Sequence, residues 1–147
     1  MSGSLWSDYR FVRDVIPPED SPGVHLHNLA INQLLFDARN AYITEGVGIT
    51  WESLEQSGRT LILRRLEIDF EREVPAGLPL KVGVRAAERS RRTLRFEEAV
   101  WRVDPPIAVA VARSVHLIVR DDEPGAIDLP TDLVDRFEAF EGHRLAP

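Results

Sequence analysis

The chain contains no cysteine. Disulfides, thiolate nucleophiles and cysteine-held zinc are therefore excluded from its chemistry. The same absence fits a cytoplasmic protein, whose setting does not favour disulfides. No apolar run approaches the ~20 residues that span a bilayer, and the opening MSGSLWSDYRF lacks the apolar core of a signal peptide. No excess of positive charge exists either. The 18 Lys and Arg stand against 24 Asp and Glu, a net charge of −6 that argues against a general nucleic-acid binder. Low-complexity tracts, internal repeats and linkers are missing, so residues 1–147 read as one domain of ordinary composition. That length is enough to bury roughly two-thirds of the unfolded surface.

What is present is punctuated clearly. Tyr9 to Val15 reads as a short strand closed by Pro17 and Pro18. Asn28 is a good N-cap, and apolar residues then recur at Ile31, Leu34, Leu35, Ala38 and Tyr42, the stripe of a helix with one buried face. Gly46 is placed as its stop. Trp51 to Ser57 adds a helical turn or two.

Four strands are expected next: Leu61–Glu73, Leu80–Ala87, Thr93–Val103 and Ile107–Val119. The first alternates cleanly, with Leu66, Ile68 and Phe70 opposite Glu67, Asp69 and Glu71. In the third the alternation slips at Glu97-Glu98, which predicts a bulge. The fourth puts Ala108, Ala110, Ala112 and Ser114 on one face, small enough for a helix or second sheet to approach closely. Thr131–Glu141 reads as a short amphipathic helix capped by Gly142.

The chemistry concentrates in Asp20 to Arg39, DSPGVHLHNLAINQLLFDAR. An acid, a Pro-Gly turn and a His-x-His-Asn run feed into a helix that carries a second acid. A helix N-terminus presents unpaired N–H groups, so a polarised carbonyl is a natural guest beside the carboxylate and imidazole.

Several stretches then resemble one family. Asp20-Ser-Pro-Gly23-Val is similar to an Asp-x-x-Gly-hydrophobic turn before a helix, and Phe36-Asp37-Ala38-Arg39 to an acid-x-Arg helical segment. Glu67 to Val82 resembles a strand–turn–strand run, and Ala112 to Val119 a final strand. Together they resemble acyl-CoA thioesterases of the 4-hydroxybenzoyl-CoA type. The resemblance implies an α+β hotdog fold, a curved antiparallel β-sheet wrapped around one long central helix. It also implies hydrolysis of an acyl-CoA to free acid and coenzyme A, with no cofactor besides the CoA of the substrate. Relatives assemble as homodimers, or dimers of dimers, with two sites at the interface. An acyl carrier protein is the lesser alternative to CoA, and neither nucleic acid nor membrane is an expected partner.

The resemblance also assigns roles. Asp20 becomes nucleophile or general base, with backbone N–H groups around Leu26 to Leu29 holding the oxyanion. The competing reading of Asp20 is a turn acid, and a one-residue ambiguity leaves Ser21 as the other occupant of its slot. His25 either orients water or is an ordinary histidine at the helix entrance; His27 leans to the latter. The family's Gly-His-hydrophobic-Asn-Asn run appears here as Val24-His25-Leu26-His27-Asn28, with the Gly and the first Asn replaced. Gly23, His27 and Asn28 would border the substrate. Asp37 is either a base in a neighbouring subunit's pocket or helix surface. Arg89, Ser90, Arg91 and Arg92 form a cationic turn that either meets the phosphates of CoA or is a plain turn balanced by Glu88, Glu97 and Glu98. Arg113 is expected to have a carboxylate partner. Two histidines make a weak metal signal, and no metal is expected.

Two other functions compete. Asp20-x-x-x-x-His25 has the spacing of an (R)-specific enoyl-CoA hydratase dyad, without the surrounding pattern of that enzyme. A non-catalytic hotdog that binds an acyl ligand is the third.

Overall fold

The computed structural model describes residues 6–17, 28–75 and 77–146. Its elements are β1 (Phe11–Val15), α1 (Asn28–Ala41), α2 (Trp51–Gln56), β2 (Arg59–Phe70), β3 (Leu80–Arg89), β4 (Leu94–Arg102), β5 (Ala108–Arg120) and α3 (Thr131–Glu141). A wide π-helical turn, Tyr42–Val47, extends α1. The five strands form one antiparallel sheet in the order β1-β3-β4-β5-β2. This is the α+β arrangement that the resemblance implied: an antiparallel sheet with one long central helix.

The periodic stripe of α1 does what its spacing dictates. Ile31, Leu35, Ala38 and Tyr42 are buried, and they share a core with Leu80, Val82, Val84, Phe96 and Val100 of the sheet. On β5, Ala110, Ala112 and Ser114 are all buried, so the small-residue face does lie inward. The helix runs further than its sequence suggested. It passes Gly46 and ends at Gly48, whose φ of +86° only glycine adopts cheaply. Gly46 instead serves packing, because a Cβ there would lie 3.0 Å from Cδ1 of Phe11.

The bulge expected at Glu97-Glu98 is absent. Both residues pair regularly, with Arg85 and Val84 on β3 and with Arg113 and Ala112 on β5. The alternation slipped because Glu98 is an acid at an inward position, only 1% exposed. The true register shifts fall at Leu63/Arg65, Ala86/Glu88 and Val100/Trp101.

α1 lies over β3 and β4. The inward side of the edge strand β2 is only partly covered: Leu61, Leu66 and Ile68 pack against the core, while Leu63 is 42% and Phe70 50% exposed. On the helix, Leu29 and Phe36 are likewise 74% and 51% exposed.

Candidate functional site at the mouth of the central helix

Among the described residues α1 begins at Asn28, and the first amides of any helix have no partner within it. Asn28 and Ile31 line a cavity of about 440 Å³ together with Phe70, Glu71, Arg72, Glu73 and Val74. The chain reaches this mouth through an irregular bond pair at the end of β2. The amides of Glu71 and Arg72 both donate to the carbonyl of Val109, at 2.8 and 3.2 Å. Two donors on one acceptor bend the strand, and two acids and a guanidinium come to the helix start. The sequence reading did not single out Glu71, Arg72 or Glu73; the only hint was a charged run ending a cleanly alternating strand. Asp20, Ser21, Gly23, His25 and His27 lie outside the described residues.

Asp37 is exposed and accepts a hydrogen bond from Nε2 of Gln33 at 2.9 Å. The sheet covers one side of α1, so Leu29, Gln33, Phe36 and Asp37 face away from it. In a single protomer the helix therefore has more open surface than a wholly wrapped helix would. The arginine turn is also more engaged than expected. Nε of Arg91 and Nε of Arg92 both meet Oδ1 of Asp128, at 3.1 and 3.0 Å, and hold that carboxyl below the usual carboxylate range. Ser90 Oγ lies 2.6 Å from Oγ1 of Thr93 and accepts from the Thr93 amide at 3.0 Å, so it braces the turn. Arg89 Nη1 donates to the Ser90 carbonyl at 3.5 Å. Arg113 sits between Glu97 and Glu67 in the strand register, and among the described residues it forms no ion pair with either.

The mouth and the arginine turn are at opposite ends of the sheet. Phe70 pairs with Ala110, whereas Leu94, just after the turn, pairs with His116. Six residues of β5 separate these rows, about 20 Å at a strand's rise. Among the described residues, no cluster of three or more metal-ligating side chains occurs.

The sequence pattern of the thioesterase-like superfamily matches residues 16–137. The chain belongs to that superfamily. No curated protein matches it by sequence. Solved structures share the fold. A thioesterase from Thermus thermophilus, solved with coenzyme A and Zn, is 23% identical, with 94% of this chain and 98% of that one covered and a TM-score of 0.76. A hypothetical protein from Staphylococcus aureus in complex with CoA reaches a TM-score of 0.81 at 12% identity, with 91% and 85% covered. A 1,4-dihydroxy-2-naphthoyl-CoA thioesterase from Synechocystis is 14% identical, with 90% and 95% covered and a TM-score of 0.76.

Inside its core, this thioesterase-like fold holds a polar network that the sequence reading missed. Arg39 Nε and Nη2 donate to Oε2 and Oε1 of Glu98, each at 2.8 Å. Ser114 Oγ donates to Oε2 of the same carboxylate at 2.6 Å, and His116 Nε2 lies 3.0 Å from Ser114 Oγ. All four residues are buried. The Ser114–His116 pair is not a nucleophilic dyad. The hydroxyl hydrogen goes to Glu98, so His116 must donate to Ser114 and has no lone pair directed at its proton.

Burial, and then the nearby Arg39 charge, lower the His116 pKa to about 3, and the ring is neutral in the fold. An unfolded chain takes up this proton near pH 6.5. The native pKa is depressed, so the neutral ring favours the fold fully above pH 6.5. That contribution is lost as pH falls from 6.5 towards 3, at up to about 1.4 kcal/mol per pH unit. Urea titrations between pH 7 and 4 are expected to show this slope, and His116→Gln to flatten it. An equal slope in both proteins would remove His116 as its source.

Proposed function

We propose that the protein is an acyl-CoA thioesterase that releases a free acid and coenzyme A. The observation that carries this reading is the superfamily match across residues 16–137, laid over a helix whose first described residue, Asn28, lines a cavity. In the proposed reaction the carboxylate of Asp20 deprotonates water, or adds to the carbonyl itself. Amides at the start of α1 receive the charge that develops on the carbonyl oxygen. The C–S bond then breaks and the CoA thiolate leaves without needing a strong acid. Where Asp20 itself has added, water then hydrolyses the mixed anhydride to the free acid and restores the carboxylate. His25 orients the water or the carbonyl, and Asp37 serves as the second carboxylate. Gly23, His27 and Asn28 border the thioester, while Arg89, Ser90, Arg91 and Arg92 meet the phosphates of CoA. Asp128 partly neutralises that rim, and the ~20 Å between rim and mouth suits an extended thioester arm better than a compact substrate.

The working unit in this proposal is a homodimer or a dimer of dimers, located in the cytoplasm. Support comes from the open edge of β2 and from the exposed Leu29, Phe36, Leu63 and Phe70, surfaces that a second copy would cover.

Thiol release from a panel running from acetyl- to palmitoyl-CoA, with benzoyl- and phenylacetyl-CoA included, tests the function. Turnover of at least one ester is expected. Hydration of crotonyl-CoA without thiol release would replace the thioesterase by the hydratase, and neither activity would leave a binding module.

A further inference from the structure

The helix α1 carries apolar residues on both sides. Ile31, Leu35 and Ala38 are buried, while Leu29 and Phe36 are largely exposed. The exposed face mixes Leu29 and Phe36 with Gln33 and Asp37, so apolar burial sets which side of α1 meets the sheet but holds the exact angle only loosely. Directional contacts fix the angle, and two are buried: Tyr42 Oη, on the turn that extends α1, donates to Oε2 of Glu141, and the Arg39–Glu98 pair acts within α1 itself. Arg39 meets Glu98 as a planar, two-bonded fork, and Ser114 holds the carboxylate from the neighbouring strand at 2.6 Å. His116 backs Ser114 in turn. A fork of this kind tolerates little rotation before both bonds break. Nor is a buried ion pair the most stable filling for such a volume, because apolar side chains of similar size often serve at least as well. Its best-attested use is to set register.

We propose that the Arg39–Glu98 pair, seated on Ser114 and His116, is the rotational lock of α1 and thereby positions Asp37 for hydrolysis. Residues 37 and 39 are two apart, about 200° around a helix, so the angle that buries one presents the other outward. Arg39 is a positioning residue here: it touches the sheet, and Asp37 faces the proposed neighbouring pocket. The lock stands on the geometry alone, whereas its role in turnover rests on the thioesterase reading.

The test uses the whole chain and its lack of cysteine. A nitroxide on Asp37→Cys is a unique label, compared in the native background and with Arg39→Met/Glu98→Leu. The doubly apolar protein is expected to fold and melt near the native temperature, yet to show a mobile or two-component label spectrum. Without the label, its kcat is expected to fall about 10-fold or more with KM little changed, and Asp37→Asn to cost nothing further in that background. If the double variant does not fold, Arg39→Lys replaces it. The ammonium keeps the charge but loses the fork, so the same loosening of the label is expected. Identical label spectra would overturn the lock, whatever the activity. A loosened label with kcat unchanged, or with fully additive losses, would overturn the positioning role. A native protein that hydrolyses no thioester would instead overturn the thioesterase reading, and the label would still decide the lock.

Discussion

Replacing Arg39 alone by methionine is expected to cost about 3–5 kcal/mol of stability. The loss exceeds that of an ordinary ion pair because of what remains behind. Glu98 is 1% exposed, and without Arg39 its carboxylate keeps, among the described residues, the hydrogen bond from Ser114 alone. It must then stay charged in the core or take up a proton, and either alternative is costly. For a domain with about 5–15 kcal/mol in total, this is a large share. At ~2–4 °C per kcal/mol, the melting temperature is expected to drop by about 6–20 °C. Arg85→Met provides the contrast. Arg85 pairs with Glu97 at 2.6 Å, but both side chains are about a third exposed, and the expected loss is under ~1 kcal/mol. Thermal melts of both variants check the difference, and similar midpoints would contradict the role given to the buried pair.

Phe70→Asp is expected to turn the assembly into monomers and to remove most of its activity. Phe70 is 50% exposed at the free edge of the sheet and lines the helix-mouth cavity. In the proposed dimer the second copy covers it. A carboxylate there loses the apolar gain and must be desolvated, so the dissociation constant is expected to rise by about two orders of magnitude or more. The fold of the protomer should survive, since the residue ends a strand and is not in the buried core. Sedimentation at micromolar concentration reads the mass, and thiol release reads the activity. A Phe70→Asp protein that stays dimeric, or a native protein that is already monomeric, would contradict the assembly.

Much of the fold was legible because its signals are local. The stripe from Ile31 to Tyr42, the small residues of β5 and the amphipathic Thr131–Glu141 each carry their pattern within a dozen residues, and each element forms where expected. What escaped depends on distant partners. Gly46 looked like a helix stop because its neighbour Phe11, far off in sequence, is invisible to a local reading. Glu98 looked like a strand defect because its partner Arg39 is 59 residues away. The arginine turn left two readings open, and the acid that meets two of its guanidinium groups, Asp128, was not foreseen because it comes from the turn-rich segment before α3. The acids at Glu71 and Glu73 were passed over since nothing local shows that β2 delivers them to the start of α1. For Asp37, the sequence marks an acid on a helix, but only a second copy would decide what it faces.

In the proposed reaction the carboxylate of Asp20 drives thioester hydrolysis. The most direct measurement is single-turnover thiol release, with enzyme in excess over the best ester of the panel, for the native protein and Asp20→Asn. The amide can neither accept the proton of water nor add to the carbonyl, so a rate about 10²–10⁴-fold lower is predicted. Circular dichroism and melting temperature should not change. Equal rates in the two folded proteins would rule out Asp20 as base or nucleophile and move the chemistry away from it.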